Sequence, residues 1–324
     1  MRWGVLGPGG IAHKFAEVLR GCPGGQLAAV ASRDRARAAA FARVHGVPHV
    51  CDGYSALLDR ARIDAVYIAT PHHAHAEWAQ HALDRGIAVL CEKPITVNAA
   101  QAESLVRTSR ANRTLLMEAL WTRHLPAVRT ARAWLAEGRI GAPRFIQAHF
   151  GVRLRGAKPE GRMLNPQLAG GCLLDLGVYL ISIADYVAGA LPEGLRADAL
   201  IGPTGVDEHV IVQARYPNTC FLHACCSFRA DTHNAFVLHG DAGKITLEPS
   251  FWNCTSVKLQ TDETEGGEVH PHRINGFEYQ IDAFHAAFAA GEIEASVIPH
   301  EASVRVMRTL DEIRRQIGLR YPCE

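Results

Sequence analysis

The chain lacks a charge excess of either sign: 34 Lys and Arg stand against 33 Asp and Glu. No basic stripe is present, which removes the electrostatic footprint of a nucleic-acid binder. No polybasic segment marks attraction to an anionic membrane. No apolar run reaches the ~18–20 residues of a membrane span. No secretory leader is expected, since the N-terminus enters a strand-like run at once. The nine cysteines form no C-x-x-C pair, and an odd set without a framework reads as reduced thiols. A cytoplasmic protein is therefore expected. Internal repeats and low-complexity segments are absent too.

What is present is apolar mass, 48% of 324 residues. Single cores stop growing beyond roughly 250–300 residues, so two domains are expected. The most informative stretch is the first twelve residues. Trp3–Gly7 is a short apolar run, and Gly7-Pro8-Gly9-Gly10-Ile11-Ala12 follows directly. This is G-x-G-x-x-A between a strand-like and a helix-like segment, the setting of a dinucleotide-binding turn. Gly7 permits the tight turn, Gly9 lets the backbone approach a pyrophosphate, and Ala12 lets helix and strand pack closely. The first helical amides, from Gly10 and Ile11 onward, face the anion.

Strand-like and helix-like stretches then alternate. Strands are read at 2–7, 26–32, 47–50, 64–70, 88–91 and 115–119, and helices at 11–20, 35–44, 55–58, 75–84 and 98–110. Asn98 and Gln101 have capping-box spacing. The alternation predicts a doubly wound parallel sheet, a Rossmann domain over 1–121. The remainder, 122–324, reads as an α+β substrate and dimerisation domain. It carries helices at 127–137, 173–187, 277–290 and 301–317, and a large, mostly antiparallel open sheet. The sheet's strands are expected at 144–150, 195–201, 209–216, 220–228, 235–239, 244–248 and 256–260. Thr261–Gly267 reads as a surface loop, and the last helix as able to pack back on the first domain. The open sheet face, with Phe221, Leu222, Phe228 and Val237, reads as pairing with a second subunit in a homodimer; the plainer reading is an ordinary core face.

The tip of the second strand selects the nicotinamide. It reads Ala31-Ser32-Arg33-Asp34. An NAD site usually carries Asp or Glu there. Ser32 can instead donate to a 2′-phosphate, and Arg33 can pair with it and stack on adenine, with Arg37 reinforcing the positive site. Asp34 argues for NAD, but one residue later it can cap the next helix. NADP is favoured, with NAD possible.

Three further segments carry chemistry: Thr70-Pro71-His72-His73-Ala74-His75, Cys91-Glu92-Lys93-Pro94 and Gly170–Tyr179. The first two follow buried strands, where ligands bind in open α/β sheets. Thr70, Pro71, His72, His75, Glu92 and Lys93 are thus candidate cofactor contacts. His72, His73 and His75 are too crowded for one tetrahedral metal site, and no metal is expected. Hydride transfer from a secondary alcohol needs a base for the hydroxyl proton. Asp175 and Tyr179, four apart, share a helix face. If Lys93 meets them in an interdomain cleft, its charge lowers the pKa of its neighbour or of the bound hydroxyl.

In combination, G-x-G-x-x-A, E-K-P at Glu92–Pro94 and G-G-x-x-x-D-x-G-x-Y at Gly170–Tyr179 resemble the Gfo/Idh/MocA oxidoreductase family along essentially the whole chain. Met117–Arg123, the L-L-D-L-G-V-Y run and Leu310–Pro322 are similar to its dihydrodiol dehydrogenase branch. The resemblance implies an NADP-dependent enzyme acting on a sugar or cyclic trans-diol. It implies Tyr179 for proton transfer, Lys93 as assisting cation and Asp175 to orient substrate or Lys93. Trp121, Arg123, Phe150, Trp252 and Phe277 are the candidate substrate pocket. Plainer readings stand beside these. A Lys is usually solvated, an early-helix Asp is favoured by the dipole, and large aromatics are mostly core. Arg123 reads equally as a surface ion pair. Two rival functions remain: a cofactor-binding sensor without turnover, and a relative that uses bound NAD for glycoside cleavage.

Overall fold

The structure, a computed structural model, describes every residue except Asn218. The first elements are β1 (Arg2–Leu6), α1 (Gly10–Leu19), β2 (Gln26–Ser32), α2 (Arg35–His45), β3 (His49–Asp52), α3 (Tyr54–Arg60), β4 (Ala65–Ile68), α4 (His75–Leu83), β5 (Ala88–Glu92), α5 (Ala99–Asn112) and β6 (Leu116–Ala119). There follow α6 (Pro126–Ala136), β7 (Pro143–Gly151), α7 (Val178–Ala188), β8 (Gly194–Ile201), β9 (Asp207–Arg215), β10 (Phe221–Ser227), β11 (Phe236–Gly240) and β12 (Gly243–Leu247). The last are β13 (Ser256–Thr261), β14 (Glu265–Val269), α8 (Glu278–Ala289) and α9 (His300–Gln316). Two compact units result: Met1–Trp121 with Arg273–His300, and Thr122–His272 with Glu301–Glu324.

The first unit holds a six-stranded sheet in the order β3-β2-β1-β4-β5-β6. Every pair is parallel. The order reverses between β1 and β4, which opens a crevice beyond their C-terminal ends. β4 and β5 are buried along their whole length, as a sheet covered on both faces requires. Asp34 caps α2 by accepting from the Ala36 amide at 2.8 Å, and Asn98 caps α5 through the Gln101 amide at 2.9 Å. Gln101 in turn accepts the Val97 amide at 3.2 Å.

The first unit runs to Trp121, and a later segment, Arg273–His300, returns to it. That segment carries α8. Trp3 is fully buried, lies 4.8 Å from the Phe284 ring and donates from Nε1 to His285 Nε2 at 3.1 Å. Burying an indole needs such a hydrogen-bond partner, and α8 supplies it from nearly three hundred residues away in the chain.

The second unit holds an eight-stranded sheet, β14-β13-β12-β11-β7-β10-β9-β8. Among the described residues its one parallel pair is β7 with β10. Thr261–Gly267, read as a loop, instead turns through Thr261 N to Thr264 O (2.8 Å) and returns as edge strand β14. Every residue of β14 is exposed, so no apolar alternation could mark it. One face of the sheet is covered by α6 and α7. The open face carries Phe145, Ile211, Phe221, His223, Cys225 and Val237 in register. Leu222 and Phe228 do not join it: each is 2% exposed, and Leu222 points to the covered side.

The helix expected at Leu173–Val187 opens with a π-turn, Leu173–Gly177, before α7. Such wide turns are rare and cluster at functional sites. The simple four-residue face shared by Asp175 and Tyr179 is therefore altered at its start. By length and composition the stretch Pro166–Ala188 could cross a membrane, but it is mostly buried within the protein as a core helix.

Candidate active site

The turn after β1 is built around Gly7. Its φ is +85°, and a Cβ there would stand 2.7 Å from the Ala69 carbonyl oxygen. Its amide donates to Ala31 O at 3.1 Å. Gly7 is thus wedged between the ends of β2 and β4 where no larger residue fits. Gly9 and Gly10 are the opposite case, since a Cβ on either would meet nothing within 4 Å. The space above the turn is open. α1 begins there with no side-chain cap and no acidic residue in its first turn, so its leading amides are left for an anion. Ala12 is fully buried, while Ile11 is 38% exposed beside the opening. The Thr70 hydroxyl, at the end of β4, is buried with no hydrogen-bond partner. An open glycine turn, uncapped amides, an exposed apolar side chain and an orphaned hydroxyl together fit a dinucleotide.

At the end of β2, Asp34 is committed to its cap. Ser32 is 8% exposed, and its Oγ accepts from the Asp34 amide at 3.2 Å. Arg33 and Arg37 are exposed. Tyr54 lies beside both: burial raises its hydroxyl pKa, and the two guanidinium charges work against that. The sequence reading missed Tyr54, because a lone Tyr opening a short helix carries no motif. Arg35 pairs with Asp52.

The Glu92–Pro94 turn after β5 is clamped from several sides. The peptide between Lys93 and Pro94 is cis. Tyr67 donates to Glu92, and Glu118 accepts the Ile95 amide at 3.0 Å. The His75 ring is fully buried between the Pro94 carbonyl (2.8 Å) and the Thr70 carbonyl (2.9 Å). Burial lowers its pKa to about 4, so at neutral pH the ring is uncharged and donates to one carbonyl at a time. His75 thereby ties the end of β4 to the turn that carries Lys93. His72, 7% exposed, sets its ring 5.8 Å from that of His75, and Pro71 precedes it in extended backbone. Among the described residues no group of three or more His, Cys, Asp or Glu side chains could hold a metal.

Trp121 and Phe277 also belong to the first unit, with ring centroids 4.8 Å apart. The Lys14 ammonium stands over both, at 4.4 and 5.1 Å. Burial pulls its pKa down while Glu92 opposes the shift. Nothing in the spacing of Lys14 announces this position.

The second unit brings Phe150, Tyr179 and Trp252 together. Phe150 stacks on Trp252 at 3.9 Å and lies 5.6 Å from the Tyr179 ring. Asp175, 5% exposed, pairs with Arg162 at 3.2 Å. Arg162 sits in a loop without regular pattern and was not foreseen. Arg123 is corrected. It is 1% exposed, and its guanidinium is taken up by Ser182 Oγ (2.7 Å), Ser182 O (2.6 Å) and Asp185 (2.9 Å). A side chain buried in this way is a structural knot, neither a substrate contact nor a surface ion pair.

Comparison with known proteins agrees with this geometry. A model of the Gfo/Idh/MocA oxidoreductase family, NAD-binding Rossmann fold, matches residues 1–120. The Gfo/Idh/MocA C-terminal domain model matches 128–246. The chain is 33% identical over 332 residues to trans-1,2-dihydrobenzene-1,2-diol dehydrogenase of Bos taurus, covering 99% of this chain and 98% of the relative. The enzyme of that name from Danio rerio is 31% identical over 330 residues, with the same coverage. Among solved structures, KijD10, a 3-ketoreductase from Actinomadura kijaniata in complex with NADP and TDP-benzene, matches with a TM-score of 0.88 at 29% identity over 98% of each chain. The chain belongs to the Gfo/Idh/MocA family and is an NAD(P)-dependent oxidoreductase.

Proposed function

We propose that the protein oxidises or reduces a carbinol carbon of a sugar or cyclic trans-diol, with NADP as its preferred cofactor. The observation that carries this is the open, uncapped glycine turn at the β1/β4 reversal, in a chain similar over 99% of its length to diol dehydrogenases. Bound NADP supplies a hydride acceptor or donor at nicotinamide C4. Gly9, Gly10 and Ile11 cradle its pyrophosphate, and Arg33 and Arg37 bind its 2′-phosphate. Tyr179 moves the hydroxyl proton, Lys93 favours the ionised form by its charge, and Asp175 orients the substrate. Phe150 and Trp252, stacked at 3.9 Å beside the Tyr179 ring, shape the pocket.

The test is absorbance at 340 nm (the NADPH band) with NADP or NAD, against trans-1,2-dihydrobenzene-1,2-diol, D-xylose and a panel of cyclic trans-diols and sugars. Turnover on one class with NADP supports the reading. Tight NADP binding without turnover moves weight to a sensor. Arg33→Ala should weaken NADP by about 10- to 100-fold, the value of one charge-assisted contact. NAD affinity should change little. Equal loss for both cofactors would remove Arg33 from the 2′-phosphate site.

Two further readings belong to this proposal. Nine thiols, all unbridged, support a cytoplasmic location. The open sheet face around Ile211, Phe221 and Val237 supports a homodimer, with Ile211 and Phe221 40% and 54% exposed. Phe221→Asp should give a monomer in analytical ultracentrifugation at micromolar concentration; an unchanged mass would place the interface elsewhere.

A further inference from the structure

Beneath the Asp175–Tyr179 segment lies a carboxylate that the proposed chemistry does not use. Asp207, at the start of β9, has no exposed surface. Its Oδ2 accepts the Leu173 amide at 2.6 Å and faces the Cys172 thiol at 3.3 Å. Its Oδ1 has no hydrogen-bond partner and lies against the Gly171 backbone. A Cβ on Gly171 would stand 2.0 Å from Oδ1, and Gly171 holds φ at +117°. One buried oxygen therefore dictates the second glycine of the Gly170-Gly171 pair.

A second anchor holds the adjoining peptide. Tyr321, 4% exposed, donates its hydroxyl to Gly170 O at 2.7 Å. Arg314 secures Tyr321, standing over the ring at 5.3 Å and binding both Glu324 (2.8 Å) and Asp311 (2.6 Å). The Glu324 carboxylate in turn accepts the Tyr321 amide at 2.9 Å. The Leu173 amide is the first of the π-turn that presents Asp175, and Gly170 lies three residues before it.

Granting the roles proposed above for Asp175 and Tyr179, we propose that Asp207 is their positioning residue, gripping the turn at the Leu173 amide while Tyr321 holds Gly170. A buried carboxylate with one oxygen unpaired is costly to keep. Its retention makes sense if the charge-assisted bond, about twice the strength of a neutral one, is what holds the turn.

The groups facing Asp207 separate by protonation. Burial pushes the Cys172 thiol, 3.7 Å from Cys226 Sγ, well above its usual range. Burial and the Asp207 charge do the same to Tyr321. Arg314 stays charged and favours the carboxylate. Asp207 itself is pushed up to about 7 by burial, against the Leu173 and Cys172 hydrogen bonds. Among these groups it is the one that changes charge near neutrality. Because its folded pKa lies above the unfolded one, its contribution to stability is present below about pH 4 and is lost as pH rises through about 7. The ionised state thus grips the turn at the expense of global stability.

The experiment compares wild type, Asp207→Asn and Tyr179→Phe from pH 5.5 to 8.5, with trans-1,2-dihydrobenzene-1,2-diol or D-xylose and NADP. The kcat ratio of wild type to Asp207→Asn should rise about tenfold across this range, with NADP affinity unchanged. A merely structural aspartate would lower kcat by a pH-independent factor, so a flat ratio alongside an inactive Tyr179→Phe overturns the positioning role and leaves the proposed function standing. A fully active Tyr179→Phe instead overturns the premise. Hydrogen exchange of the 170–180 segment at pH 8 gives a readout independent of turnover. Exchange at least several-fold faster in Asp207→Asn and in Tyr321→Phe is expected, and unchanged protection in both overturns the grip.

Discussion

Tyr179→Phe is expected to lower kcat by about 10²–10⁴-fold, the usual contribution of a positioned proton-transfer group, while NADP affinity stays within twofold. Phe keeps the ring that packs 5.6 Å from Phe150 and removes only the hydroxyl. The substitution therefore separates packing from chemistry. Lys93→Met should cause a loss of similar size. Its backbone is held by neighbours that do not involve its own ammonium, since the Ile95 amide is bound by Glu118 and the Pro94 carbonyl lies against His75. Stopped-flow binding of NADP and steady-state turnover check both arms. Full activity in both variants would sink the assignment. A loss that appears wholly in cofactor affinity would reassign Lys93 as a cofactor contact alone.

Asp185→Ala should destabilise the protein by about 3–5 kcal/mol, the cost of leaving a buried charge without its partner. Asp185 is 4% exposed and receives Arg123 at 2.9 Å and Arg305 at 2.7 and 3.1 Å. Without it, Arg123 remains charged, since a guanidinium does not deprotonate in a protein. Among the described residues, Ser182 and the Tyr186 ring, 5.2 Å away, are left to it. Arg123→Leu should cost less, because Asp185 keeps Arg305. Urea denaturation ranks the two. The same pair decides the role of Arg123 in function: with the remaining folded protein titrated, KM should be unchanged in Arg123→Leu. A KM raised tenfold at normal stability would return Arg123 to the substrate pocket.

The glycine turn was legible because its signals are local. Gly7 is demanded by a backbone angle and a carbonyl 2.7 Å away, while the space over Gly9 and Gly10 is open. Asp34 announces its cap by chemistry and spacing alone. The rest of the site was less legible. Tyr54, Lys14 and Arg162 reach their positions through packing, and no motif surrounds them. Arg123 was misread because a charged side chain near a motif suggests a ligand; that Ser182 and Asp185 surround it, some sixty residues onward, is invisible to pattern.

The same division holds for the fold. Amino-acid order by itself determined the six buried or half-buried strands of the first unit, their helices and most strands of the second sheet. Period, caps and glycines act within a few residues, where backbone sterics and hydrogen bonding are decided. Only the tertiary structure decided that Arg273–His300 joins the first unit, that Glu265–Val269 pairs as an edge strand, that the helix at Leu173 begins as a π-turn, and that Asp207 and Tyr321 meet the Gly170–Leu173 backbone. Each of these is a partnership between segments distant in sequence or a local geometry imposed by one. The free energy that selects it comes from burial and hydrogen-bond satisfaction across the assembled core, which no local window contains.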